Sequence, residues 1–144
     1  MSSRDDRVRD DTEQLRMVVQ KLARRIRHNR SDESLSDSHM VVLFQLERYG
    51  VLAPVDLAAA ERVSPPSINR TLNALEERGL VERRPSETDA RRVDVHLTPA
   101  GQELILATRR LRTEWFNTHF ATLADDEQRA LRAALPALQR LAES

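Results

Sequence analysis

The residues able to carry out acid–base, metal or nucleophilic chemistry are too scattered in this sequence to act together. The histidines His28, His39, His96 and His119 fall on different stretches with no HxxH or HExxH spacing, so only the fold could gather them around a metal. The carboxylate pairs Asp5-Asp6, Glu76-Glu77 and Asp125-Asp126 are sequence neighbours, and adjacent residues of a helix do not face one another. That leaves no support for a general acid–base dyad. Cysteine is absent, which excludes thiolate nucleophiles, Cys-containing zinc sites, disulfides and thiol redox sensing. Gly50, Gly79 and Gly101 lie too far apart to write GxGxxG, Walker A or GxSxG. No cofactor or metal is implied, and an enzyme is the weakest reading.

What remains is arginine. Twenty-three basic residues balance 23 acidic ones, and Lys21 is the only lysine. A charged function must therefore come from a local patch and not from bulk charge. Arg16, Lys21, Arg24, Arg25, Arg27 and Arg30 run without an acid among them, as a solvated helix surface or as a contact for phosphate or an effector. Between Arg62 and Arg92 seven arginines meet five acids, and the surplus gathers at Arg83, Arg84, Arg91 and Arg92. A solvated surface is again the plain alternative.

The elements that must position these residues follow from periodicity. The chain of 144 residues suits one shared core. Its longest apolar run, Met40–Phe44, is far too short to cross a bilayer or to serve as a signal-peptide core, so a soluble, cytoplasmic chain with no membrane partner is expected. Leu15, Val18, Val19, Leu22 and Ile26 form one stripe of an amphipathic helix over about 13–29. A second helix fits about 38–49, ended by Gly50, and a third fits 54–62, opened by Pro54. Ser64-Pro65-Pro66-Ser67 starts a fourth, with Ser64 as N-cap and Gly79 just past its end. With Ile68, Leu72 and Leu75 turned inward, Pro66, Arg70, Asn73 and Glu77 point outward, flanked by Ser67, Asn69 and Ala74. Residues 80–84 and 93–97 read as two strands of a hairpin whose charged loop, 85–92, projects as a wing. Thr98-Pro99 opens a long helix to about Phe120, and a last helix covers about 125–142, with Pro136 predicted to kink or split it.

This order describes a mainly α fold with a small β-hairpin: a winged helix-turn-helix over 35–98, with helical dimerisation segments over 1–34 and 99–144. A helix with a dry inner face and small polar outer residues is shaped for a major groove about 12 Å wide. Its N-terminus is also expected to draw phosphate.

The stretch 56–83, reading DLAAAERVSPPSINRTLNALEERGLVER, with Asp89-Ala90-Arg91-Arg92 and Leu97-Thr98-Pro99-Ala100-Gly101 after it, resembles the MarR family of bacterial transcription regulators. The resemblance covers nearly the whole chain. It implies a homodimer with interlocking terminal helices that binds a pseudo-palindromic operator in double-stranded DNA, most often as a repressor released by a small aromatic or phenolic ligand. Ser64 matches the recognition-helix cap, Pro66, Ser67, Asn69, Arg70 and Asn73 match DNA-facing positions, and Arg91 matches the wing arginine with Asp89 as its acidic partner. Arg83, Arg84 and Arg92 complete the candidate DNA contacts. Pro65-Pro66 departs from the small hydroxyl residues or arginine common there, which shifts base readout toward Ser67, Asn69, Arg70 and Asn73. Arg16, His39 and Trp115 are the candidates for the effector, against a capping or exposed His39 and a Trp115 buried in a dimer core. A winged helix that binds protein instead of DNA would share the hydrophobic skeleton, but would not need Arg70, Asn73 and Arg91 to point outward together.

Overall fold

A computed structural model describes the backbone of residues 2–144 and the side chains of residues 7–144. The elements are α1 (Ser2–His28), α2 (Asp37–Tyr49), α3 (Pro54–Glu61), α4 (Pro65–Glu77), β1 (Val81–Pro85), β2 (Val93–Leu97), α5 (Pro99–Phe120) and α6 (Asp125–Glu143). They divide into two compact units, residues 30–110 and residues 1–29 with 111–144.

The 30–110 unit holds the core. Leu35, Met40, Leu43 and Leu46 pack with Leu57, Ile68, Leu72, Leu75, Val81, Val95 and Ile105, all buried. Caps define its helices. Ser36 Oγ accepts from the His39 backbone N–H at 3.3 Å, while His39 Nδ1 accepts from the Ser36 N–H at 3.0 Å, so the box that begins α2 uses an imidazole where Glu or Gln is usual. α3 ends a residue before the predicted boundary, because Arg62 is left-handed at φ 53° and accommodates the tight turn into α4. At the far end of α4, Leu80 N–H bonds to the Leu75 carbonyl at 3.0 Å and Gly79 takes φ 70°. This terminating motif consumes Leu80, so β1 starts one residue later than its sequence pattern indicates.

The strands pair antiparallel, Val81 opposite Leu97 through Pro85 opposite Val93. A third segment joins them, as Leu52 and Val95 exchange backbone hydrogen bonds of 3.4 and 2.8 Å. The Thr-Pro-Ala-Gly start of α5 is fitted to the turn after α4: Thr98 Oγ1 donates to the Gly79 carbonyl at 2.6 Å and accepts from Gly101 N–H at 3.1 Å. Gly101 lies buried against Leu80 and Leu97. Further along α5 the buried Thr108 hydroxyl accepts from the Ser31 N–H at 3.2 Å.

The other unit comprises α1, the end of α5 and α6, and among the described residues contributes none of the buried core. The Arg25 guanidinium lies over Trp115 at 5.4 Å, and Trp115 stacks on His119 with centroids 4.1 Å apart. Arg112 Nε donates to the Asn29 carbonyl at 3.1 Å. Of the two outcomes expected at Pro136, a kink or a split, the split does not occur: the last helix is continuous from Asp125 to Glu143. Proline removes one rung of the ladder, and both Pro136 and Arg132, whose carbonyl loses that rung, are exposed to water. Among the described residues no helix is long and apolar enough to cross a membrane.

Candidate nucleic-acid interface

The 30–110 unit presents two adjoining polar features, the outer face of α4 and the hairpin tip. Three apolar residues at helical spacing, Ile68, Leu72 and Leu75, pin α4 to the core, so Asn69, Arg70 and Asn73 are exposed. Ser64 caps it, accepting from Ser67 N–H at 3.3 Å. Pro65 and Pro66 have no N–H, and Ile68 N–H is bonded to the Ser64 carbonyl at 3.0 Å. The start of α4 therefore offers no free amide to an anion, which corrects the expectation of a phosphate site there. Contact has to come from side chains.

The arginines separate by their partners. Arg83 is tied to Glu76 by Nε at 2.8 Å and to Asn73 Oδ1 by Nη2. Arg84 donates to Glu82 at 2.6 Å, holding the carboxyl of Glu82 below its ordinary range, and Arg92 lies 3.7 Å from Asp56. Arg70 and Arg91 are exposed and form no ion pair among the described residues. Asp89 shapes the tip: its carboxylate accepts from the Arg91 backbone N–H at 3.0 Å and its carbonyl from the Arg92 N–H at 3.0 Å. Ser86 N–H closes the loop on the Arg92 carbonyl at 2.9 Å. Asp89 thus fixes the backbone and forms no ion pair with the Arg91 guanidinium.

A second node ties the end of α4 to the segment before α2. Arg78 Nη1 donates to Asp32 at 3.2 Å and to Ser34 at 2.6 Å. Ser34 hydrogen bonds, joined by the Arg78 charge, hold the Asp32 carboxyl below its usual range. Partial burial, and next the Arg78 charge, push the His39 imidazole down.

Neutral His39 is therefore favoured on folding, and its contribution is complete above the ordinary histidine value of about 6.5. It declines as pH falls below that value, since a protonated Nδ1 cannot accept from Ser36. His39→Gln keeps an acceptor at every pH. Between pH 7.5 and 5.5 the wild type is expected to lose stability relative to this variant, by no more than a cap's worth of about 1 kcal/mol. Parallel melting curves across that range would contradict it.

The effector candidates fall in different units. His39 sits in the α2 cap, whereas Arg16 and Trp115 belong to the terminal unit, where Arg16 donates to Gln20 at 3.0 Å and Trp115 stacks as described. Among the described residues no group of three or more His, Asp or Glu could hold a metal.

Residues 35–93 match the model of the MarR family. A helix-turn-helix-type transcriptional regulator of Mycobacterium leprae is 38% identical over 120 residues, covering 83% of this chain and 84% of that protein. A crystal structure of a Pseudomonas aeruginosa protein described as a transcriptional regulator superposes with a TM-score of 0.81 and 32% identity, covering 99% of each chain. A variant of S. aureus MepR bound to an oligodeoxyribonucleotide shares the fold, with a TM-score of 0.70 and 21% identity over 91% of this chain and 96% of that one.

Proposed function

Because the chain belongs to the MarR family of DNA-binding transcriptional regulators, we propose that it is a homodimeric repressor which grips a pseudo-palindromic operator and releases it on binding a small aromatic or phenolic ligand. The observation that carries the DNA contact is that Arg70 and Arg91 are exposed and form no ion pair among the described residues, while the neighbouring wing arginines are tied to acids. Ser67, Asn69, Arg70 and Asn73 face the major groove, with Ser64 and Pro66 shaping the turn that enters it. Arg91, presented by Asp89 and flanked by Arg84 and Arg92, meets the minor groove or its phosphates.

Dimerisation is supported by a unit that buries no core residue among the described residues yet displays Leu15, Val18, Val19, Leu22, Leu131, Leu135, Leu138 and Leu141. Burial against a second copy by a twofold axis satisfies such a surface. Arg16 and Trp115 in the terminal unit, and separately His39 in the 30–110 unit, are the candidates proposed for ligand contact.

Selection of duplexes from fragmented bacterial DNA by the full chain, followed by sequencing, tests the proposal. It predicts recovery of an inverted repeat, and loss of that recovery with a compound of a salicylate-type panel that also raises the melting temperature. Recovery of no common sequence overturns the operator. A panel that neither protects nor releases overturns the effector.

A further inference from the structure

We infer that Arg83 is a positioning residue that turns Asn73 into a hydrogen-bond donor toward DNA, so that α4 reads acceptor atoms there. These are guanine O6, alone or with guanine N7, or a phosphate oxygen, and not the paired N6 and N7 edge of adenine. The inference rests on the reading of α4 as the DNA-facing helix.

A free asparagine carries both an acceptor and a donor, and for that reason commonly pairs with adenine through N6 and N7 together. Asn73 is not free in this sense. Arg83 projects from the same face of β1 as the buried Val81, which directs its side chain toward α4, and only 24% of that side chain is exposed. Its Nε is anchored on the Glu76 carboxylate at 2.8 Å, one helical turn from Asn73, and Nη2 then donates to Asn73 Oδ1. A guanidinium has only donors, so the amide atom it meets is the oxygen. The two Nδ2 hydrogens remain for a ligand, and no other hydrogen bond of Asn73 competes for them among the described residues. The cation beside Oδ1 also repels a second donor, such as the amino group of adenine, and favours any acceptor that approaches Nδ2.

Glu76 matters for the same reason. Without the carboxylate, Arg83 is one more cation for phosphate; with it, the guanidinium is held against the protein and Asn73 takes a fixed orientation.

The test repeats the selection from random duplexes with the full-length wild type, Asn73→Ala and Arg83→Met, each checked for an unchanged melting temperature. For a base contact, wild type prefers guanine at one position of each half-site, and Asn73→Ala relaxes that preference by about tenfold. Arg83→Met moves the preference toward adenine, because the freed amide can then accept as well as donate. For a phosphate contact, Asn73→Ala and Arg83→Met weaken all selected duplexes alike, and a neutral methylphosphonate at one linkage reproduces the loss. A shift of base preference on removing Arg83 is something a purely structural arginine would not produce. The inference is overturned if the Asn73-dependent position is adenine in the wild type. It is overturned equally if Asn73→Ala changes neither preference nor affinity, or if Arg83→Met leaves both as they were. Failure of the wild type to enrich any sequence instead overturns the DNA-reading assignment on which the inference stands.

Discussion

Leu135→Glu is expected to convert a dimer into a monomer at micromolar concentration and to lower operator affinity by about a hundredfold or more. Leu131, Leu135, Leu138 and Leu141 recur at helical spacing along α6, are 46%, 54%, 38% and 67% exposed, and leave α6 without one buried residue. Burying a leucine contributes about 1.5–3 kcal/mol, and a twofold interface counts each substitution twice. A glutamate there both forfeits that contribution and carries an unpaired charge into the interface. Leu135 is more than half exposed in its own protomer, so helical content should persist. Operator affinity falls because two half-site contacts on one body act at high effective concentration, which separated chains lose. Sedimentation at micromolar concentration checks the claim. A Leu135→Glu protein that stays dimeric places the interface elsewhere.

Gly101→Ala reverses the usual sign of a glycine-to-alanine change in a helix. In an unobstructed helix alanine gains about 1 kcal/mol. Here the new Cβ would stand 2.2 Å from the Leu80 carbonyl oxygen and 2.8 Å from Leu97 Cδ1. The leucine side chain can yield, but the carbonyl is backbone and already accepts from Thr98 N–H at 3.1 Å. Relief requires α5 to withdraw from the turn after α4, loosening Thr98 from Gly79 and Gly101 as well. A net loss of about 2–3 kcal/mol follows from overpacking of this kind, roughly 5–10 °C in melting temperature for a chain of this size. Thermal unfolding of the variant at or above the wild-type temperature would show that α5 accommodates the methyl group without cost.

Local signals placed most of the fold and part of the site. Ser64 with two prolines after it, Gly79 past the end of α4, and Ile68, Leu72 and Leu75 at helical spacing put Asn69, Arg70 and Asn73 outside, where the structure has them. The same prolines were the clue that the start of α4 lacks free amides, a consequence that counting N–H groups supplies and the helix dipole alone does not. The Leu52 bridge was not legible, since a single paired residue carries no alternation. Nor was the division of labour among the arginines. Arg83 meets Asn73 and Glu76, and Arg92 meets Asp56, across a turn whose geometry depends on Gly79 and the hairpin register. Sequence spacing cannot tell such tied arginines from the unpaired Arg70 and Arg91. Pro136 does not break the helix because a helix interior tolerates one lost rung where water reaches the freed carbonyl.

Operator affinity measured against salt concentration tests directly whether Arg70 on α4 and Arg91 on the wing are the cations that hold DNA. The wild type and the Arg70→Ala/Arg91→Ala double variant would be compared on the selected duplex. Each phosphate neutralised adds about one unit to the steepness of the logarithmic salt dependence. A steep wild-type fall is expected, and for the double variant a weaker affinity and a slope shallower by at least about one unit per subunit, with oligomeric state and melting temperature unchanged. Wild-type affinity and slope in the double variant would contradict it.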